Sequence, residues 1–314
     1  MKRLLRAITS ALSVAVLLGI VLGFMGGFVF ELDMFAHFRL HLVLLSGVVG
    51  AAAVFLGSWH LFWRCFVAAV LGVAGLGVLW ERLEHGPGTT DVTVMTANLY
   101  QDNSEPAKMQ KVLFDADADV LVTAETTKTV LSGEHSLALI YPFRLSLSTS
   151  GQTLRTVIWS KYPMRDGKLL LEDLVGPTGA HAIIEVEPGL EFTLLGVHMA
   201  HNLFGNQKQQ IEALDRIAEQ MPVPRVVVGD FNATAWSYAL RWAESLTSTR
   251  RIRGFRITWR GTYPTIFGNF AAPIGLQIDH ALVSRSIGVT SVETIPIPGS
   301  DHRGLKIGLA LGAS

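Results

Sequence analysis

The stretch Val226-Val227-Val228-Gly229-Asp230-Phe231-Asn232-Ala233-Thr234 decides how the rest of this chain reads. Three β-branched apolar residues in a row describe a buried strand, and the glycine after them lets the backbone turn sharply as the strand ends. Asp230 and Asn232 then stand at a sheet edge, two residues apart. In extended backbone their side chains share one side, so a carboxylate and an amide can converge on one small ligand. Sites of open α/β sheets form beyond strand ends of this kind. Taken alone, Gly-Asp-x-Asn is equally a turn, since all three residue types favour turns. Four further polar clusters, at Asn98, Glu125, His198 and Asp279 to His302, fall at or just past the ends of apolar runs or interrupt one, and that repetition favours a site.

Working outward, residues 91–98 form a β-rich strand ending in the amide of Asn98, and residues 119–124 form a second buried strand ending at Glu125. A carboxylate at the end of an apolar strand needs a partner, because an unpaired buried charge is costly. A divalent metal is the expected partner; a salt bridge to Lys128 is the alternative. Residues 180–186 and 191–197 pair as a hairpin around Pro188-Gly189, whose second arm delivers His198. His198 suits phosphate or metal binding, or the role of a satisfied core histidine. Residues 104–118, 206–221 and 236–246 have helical character. Residues 276–283 read as a strand with Asp279 and His280 in its middle, and Ser300-Asp301-His302-Arg303 opens a last strand over 304–311. Residues 250–260 carry five arginines among aromatics, which reads as a polyanion groove or as a solvated loop.

The chain has 314 residues and no formal net charge, and its apolar residues are concentrated at the front. Residues 7–30 carry no charge and are long enough to cross roughly 30 Å of hydrocarbon as a helix. With residues 40–57 and 65–80 they predict three transmembrane helices, a lipid-bilayer contact over residues 7–80, and a multi-pass protein of the inner or plasma membrane. A cleaved signal peptide is the alternative for the first. Lys2, Arg3 and Arg6 precede the first span, so the positive-inside rule puts the remainder in the periplasm or exterior. A Gly/Pro linker at 85–90 divides a membrane region, 1–85, from a catalytic domain, 86–314. Cys65 is the only cysteine, which excludes internal disulfides and thiolate zinc sites. Walker-type loop, Gly-x-Ser-x-Gly elbow and His-Glu-x-x-His are all absent, removing the common nucleotide-hydrolase, serine-hydrolase and zincin chemistries.

Oxygen-rich, thiolate-free ligation suits Mg²⁺ or Mn²⁺. The remaining acids and imidazoles suit phosphoester hydrolysis. Thr96-Ala97-Asn98, Glu125, Val197-His198-Met199, Gly229-Asp230-Phe231-Asn232, Ile278-Asp279-His280 and Ser300-Asp301-His302, in that order, resemble the endonuclease/exonuclease/phosphatase superfamily of DNase I-like nucleases, neutral sphingomyelinases and inositol polyphosphate phosphatases. The resemblance spans nearly all of the soluble part. It implies an α/β (α+β) fold of two packed β-sheets flanked by helices, a four-layer α/β/β/α sandwich. It also implies a metal held by Glu125 with Asn98 and Asp301 nearby, and a water positioned or activated by Asp230. Asn232 would hold the phosphate, His302 would contact a phosphoryl oxygen with Asp279 fixing its tautomer, and His198 would help the transition state or leaving group. The expected substrate is a phosphodiester of a phospholipid or of nucleic acid. Tyr100 stands where the superfamily's apurinic-site nucleases carry a second acid, and Thr123-Ala124 replaces the usual Leu-Gln before the metal glutamate. A catalytically inactive scaffold that keeps the fold is the competing expectation.

Overall fold

Strict alternation along the first strands sets the architecture. Val94, Val120, Val122 and Ile158 enter one apolar core, while their neighbours Met95, Leu121 and Trp159 enter another. Strands buried on both faces must be covered on both faces, one by a second sheet and one by helices. The computed structural model describes residues 1–146, 153–154, 156–170, 178–202, 206–265, 268–271 and 274–312.

The strands in chain order are β1 (Val92–Asn98), β2 (Val120–Ala124), β3 (Phe143–Ser146), β4 (Val157–Ser160), β5 (Met164–Leu170) and β6 (Thr178–Glu187). They continue with β7 (Leu190–His198), β8 (Arg225–Asp230), β9 (Arg250–Arg251), β10 (Asp279–Val283), β11 (Gly288–Pro296) and β12 (Arg303–Ala310). Two 6-stranded mixed sheets result, ordered β11-β12-β1-β2-β4-β3 and β9-β10-β8-β7-β6-β5. Val94, Val122 and Ile307 from the first and Leu194, Val226 and Val228 from the second meet in the core between them.

The longer helices are α1 (Lys2–Phe24), α2 (Arg39–Phe55), α3 (Trp59–Ala74), α4 (Pro106–Asp115), α5 (Gln207–Glu219) and α6 (Tyr238–Leu246). Met109 and Leu113 of α4 cover the outer face of the first sheet, and α5 buries Ile211 and Leu214. The sandwich flanked by helices agrees with the expected fold class. Two sequence readings shift: β10 starts at Asp279, which therefore sits at a strand end, and β11 was not foreseen.

The chain divides into two compact units. One comprises Met1–Glu81 with Thr234–Arg241, the other Arg82–Ala233 with Trp242–Ser314. In the first, Val16 and Ile20 of α1 pack with Ala68 of α3, and a Cβ on Gly72 would meet Val43 Cγ2 at 2.3 Å. Helices approach this closely only over small residues. The expectation of three membrane-spanning helices is corrected here. Among the described residues, only Lys2–Gly27 is by itself long and apolar enough to cross a membrane; Arg39–Phe55 reaches that length only if joined, across a 58° bend, to Phe30–His37, and Trp59–Ala74 is shorter. The charge-free stretches were legible, but Gly26, Gly27 and the acids after them break the helix early and turn residues 25–37 into short helical turns.

Candidate functional site

Strand register gathers the polar residues. Asp230, at the end of β8, pairs with His198 at the end of β7 on one side and with Asp279 at the start of β10 on the other. Gly229 makes this possible: at φ +147° a Cβ would lie 1.8 Å from Val197 O. In the first sheet Asn98 at the end of β1 is level with Ala124, which places Glu125 just beyond it. Glu125 and Asn232 both have positive φ, 51° and 47°. Non-glycine residues hold that conformation at a cost, and it is concentrated at functional sites.

The hub is Asp230, only 2% exposed. Its Oδ2 accepts from Asn98 Nδ2 at 3.1 Å and lies 3.8 Å from both His198 Nε2 and His302 Nε2. Its Oδ1 accepts the Asn232 backbone N–H at 2.8 Å. Asn98 Nδ2 also donates to Glu125 Oε1 at 2.9 Å, and Gln101 N–H donates to Glu125 Oε2 at 3.0 Å. His198 Nε2 is 3.7 Å from Glu125 Oε1. No salt bridge joins Glu125 to Lys128 among the described residues, so its carboxylate faces the site with the His198 imidazole as its neighbour. Asn232 Nδ2 donates to Met199 O at 2.7 Å.

Behind the hub lies a second pair. His302 Nδ1 is 2.8 Å from Asp279 Oδ2, and Thr258 Oγ1 accepts the Asp279 backbone N–H at 3.0 Å. Asp279 is fully buried and His302 7% exposed. Burial, the largest single influence, works to lower the His302 pKa. The carboxylates of Asp279, Asp230 and Asp301 together outweigh it and push the imidazole up to about 10. Burial pushes Asp279 up, and its partner His302 works against that. The imidazole is therefore a cation at neutral pH, with Nε2–H directed toward Asp230. His280, one residue from Asp279, behaves oppositely: burial brings it down to about 4, and its Nε2–H donates to Ala233 O at 2.8 Å. It is a neutral core residue.

Asn98, Glu125, His198, Asp230, Asn232, Asp279 and His302 thus converge. Asp301 sits at the margin, with Oδ1 4.0 Å from His302 Nε2 and Oδ2 accepting Trp259 Nε1–H at 2.8 Å. Several contributors were invisible in the sequence. Gln207 Nε2 donates to Phe231 O and Asn232 O at 3.0 and 3.1 Å, and Ser300 Oγ donates to Asn98 O at 2.8 Å. These support backbone carbonyls, a role with no sequence signature. Thr123, the departure noted above, takes the indole N–H of Trp159 at 3.0 Å and the Thr126 hydroxyl at 2.7 Å, which fastens the turn carrying Glu125. Within residues 250–260, Arg250 is paired with Glu84 at 2.7 Å and Arg256 donates to Arg253 O and Gly254 O, so the run is not a continuous free basic groove.

Two oxygen-rich places could receive a cation. Ligand atoms of Asp230, Asp279 and His302 lie within 4.8 Å of one another. There His302 is already cationic and bonded to Asp279, which opposes a second positive charge. Glu125 with Asp230, braced by the Asn98 amide, is the better fit: two carboxylates and no resident Lys or Arg among the described residues suit a hard divalent ion.

A search of curated protein sequences finds no match. Among solved structures the fold is similar to sphingomyelinase C from Streptomyces griseocarneus, at 14% identity and TM-score 0.53, covering 70% of this chain and 99% of that one. It is also similar to D. rerio TDP2 complexed with a single-strand DNA product, at 13% identity and TM-score 0.55, covering 70% and 98%. A Staphylococcus aureus beta toxin variant with bound magnesium ions matches at 14% identity and TM-score 0.52, covering 70% and 99%. The model of the Endonuclease/Exonuclease/phosphatase family matches residues 95–302, from β1 through His302, and the chain belongs to that family.

Proposed function

We propose that this protein is a divalent-metal-dependent phosphodiester hydrolase anchored to a membrane by its N-terminal helix α1. The observation that carries the reading is the surround of Asp230: one buried carboxylate oxygen with an amide N–H and two imidazole nitrogens within 3.8 Å, beside a second carboxylate, Glu125. Family membership adds to it, as does the magnesium in the beta toxin variant of the same fold. Bound Mg²⁺ or Mn²⁺ would polarise a phosphoryl oxygen and neutralise developing charge. Glu125 would be its principal ligand. Asn98 would ligate only with its amide turned, because Nδ2 now faces the carboxylates; Asp301, held by Trp259, is peripheral.

Asp230 orients the attacking water and accepts its proton. His302, kept cationic by Asp279, donates to a phosphoryl oxygen and stabilises the charge that grows there. Asn232 holds the phosphate at the lip of β8. His198 Nε2, between Glu125 and Asp230, supports the transition state or the leaving group.

Lipid headgroup diesters are favoured over nucleic acid as substrates. The N-terminal unit would keep the site near lipid, while the arginine run that suggested a polyanion groove is partly spent on Glu84 and on backbone carbonyls. The DNA-bound TDP2 relative keeps the nucleic-acid arm in the test. With Lys2, Arg3 and Arg6 retained inside, one crossing by α1 would put the catalytic unit outside the cytoplasm.

The test is hydrolysis of bis-p-nitrophenyl phosphate by the full chain in detergent, with Mg²⁺, Mn²⁺ or EDTA, followed by phospholipid and DNA diesters. Metal-dependent turnover that Asp230→Ala abolishes supports the reading. Absence of turnover on every diester with either metal overturns it in favour of a scaffold.

A further inference from the structure

The turn that follows β1, residues 99–103, carries the backbone groups that hold the Glu125 side of the site. Gln101 N–H donates to Glu125 Oε2 at 3.0 Å, and Tyr100 N–H donates to Asn98 Oδ1 at 3.1 Å. Tyr100 does this at a φ of 59°, which a bulky residue keeps only where its surroundings hold it. A second turn carries the imidazole side. Ser300 N–H donates to Ile297 O at 3.1 Å, and Asp301 and His302 follow directly, with the His302 N–H donating to Ser300 Oγ at 3.0 Å. The pairing of β1 with β12 ends at Thr96 and Leu305, short of both turns. Strand register therefore does not fix their spacing, and side chains must.

Ser300 Oγ makes one crossing, to Asn98 O at 2.8 Å. Asn103 makes the other. Its Nδ2 donates to Leu99 O at 3.0 Å within its own turn and to Pro298 O at 2.9 Å in the second. Its Oδ1 accepts the Glu105 N–H at 2.7 Å, and its backbone N–H donates to Tyr100 O at 2.9 Å. The two turns meet closely here. A Cβ on Gly299 would lie 2.0 Å from Asn103 Oδ1, and Gly299 has a φ of +75°, so both space and conformation require glycine. The everyday task of an asparagine at this place is the turn into α4, which uses Oδ1 alone. The two donations by Nδ2 serve something else, and an ionised aspartate of the same shape has no hydrogen to make them.

We infer that Asn103 is a positioning residue of the hydrolytic site: by tying residues 99–101 to the Pro298-Gly299 turn it sets the spacing between the Glu125 carboxylate and the His302 imidazole. One amide thereby serves both the side that would hold the cation and the side that would meet the phosphoryl oxygen. The kinetic and metal halves of the test rest on the phosphodiesterase reading; the exchange half does not.

The experiment compares full-length wild type with Asn103→Ala, with Asn103→Asp, which keeps the acceptor for Glu105 N–H and loses both donors, and with Tyr141→Phe as a control. Tyr141 belongs to the same outer core and its hydroxyl donates to Ala118 O at 2.9 Å, away from both turns. All are measured in dodecylmaltoside on bis-p-nitrophenyl phosphate with Mg²⁺ varied, beside hydrogen–deuterium exchange of peptides covering 99–105, 297–303 and 190–197. Both Asn103 variants are expected to lower kcat about 10- to 100-fold with KM little changed, the scale on which small displacements of reacting groups act. The apparent Kd for Mg²⁺, read from the shift of the melting midpoint, rises on the order of 10-fold. Saturating Mg²⁺ restores only part of kcat, because the His302 side has moved as well. Exchange rises in 99–105 and in 297–303 and stays constant in 190–197, while Tyr141→Phe lowers the melting midpoint and leaves kcat and the Mg²⁺ response unchanged. Wild-type kinetics in Asn103→Asp, full recovery of kcat at saturating Mg²⁺, or faster exchange confined to 99–105 overturns the inference. If Asn103→Ala does not fold, Asn103→Asp carries the same comparison. If wild type turns over nothing, the phosphodiesterase reading fails and exchange in 297–303 alone decides whether Asn103 ties the two turns.

Discussion

Asp230 and Asp279 are register partners across β8 and β10, which sets two buried carboxylates side by side at one sheet edge. Such a pair is tolerable because His302 stands against both, 2.8 Å from Asp279 and 3.8 Å from Asp230. The imidazole is thereby raised to about 10.

Asp279→Asn removes the nearest charge. His302 then falls back toward its ordinary value, and the alkaline limb of the kcat/KM profile moves down with it by more than one pH unit. A pH series of wild type and variant on one diester checks this; an unmoved limb would remove the cationic role from His302.

Stability should fall on both sides of neutrality for two different histidines. His302, raised in the folded state, contributes stability that is complete below about 6.5 and is lost as pH rises toward about 10. His280, lowered to about 4, contributes stability that is present above about 6.5 and is lost as pH falls toward about 4. Melting midpoints from pH 4 to 10 should trace that dome. Asp279→Asn should flatten the alkaline side and His280→Asn the acid side.

Gly229→Ala is expected to be severe. A methyl group would be driven to 1.8 Å from Val197 O at a φ of +147°. Backbone strain and steric clash together should cost more than about 3 kcal/mol. Thermal melting reads the loss, and a variant within 1 °C of wild type would show that β8 can move away from β7.

Metal binding is testable without catalysis. Mg²⁺ should raise the melting midpoint of the wild type, on the order of 2.7 kcal/mol at a hundred times its Kd. Glu125→Gln should abolish the rise. Asp279→Asn should leave most of it if the ion sits between Glu125 and Asp230; the reverse pattern would move the ion to the Asp279 side.

Much of the site was legible because strand periodicity and strand ends are local properties. Val226 to Val228 and Val120 to Val122 announce buried strands, and Asp230 and Glu125 follow them directly. Asn98, His198 and His302 were singled out as candidates the same way. The strand β11 was missed because its pattern alternates half-exposed with buried positions and contains Ser291, Glu293 and Thr294, so no apolar run marks it. Gln207, Thr258 and Trp259 were missed because what they bond is fixed by tertiary placement. The helices at the front were legible as apolar stretches. Their lengths were not, since a charge-free run does not reveal where Gly26 and Gly27 end the helix. The partners of Asp33, the backbone N–H groups of Tyr238 and Ala239, were not legible either, because they lie far along the chain.

Those partners carry a consequence for biosynthesis. Asp33 leaves the ribosome well before the Tyr238 and Ala239 N–H groups that it accepts, and the whole chain between Glu81 and Thr234 must be made in the interval, roughly 10–30 s at ordinary elongation rates. During that time the nascent N-terminal unit holds the Asp33 carboxylate without its final hydrogen bonds. Its maturation therefore waits for residues 234–241, and nascent chains stalled before Thr234 should be more sensitive to protease in residues 25–39 than chains stalled beyond Arg241.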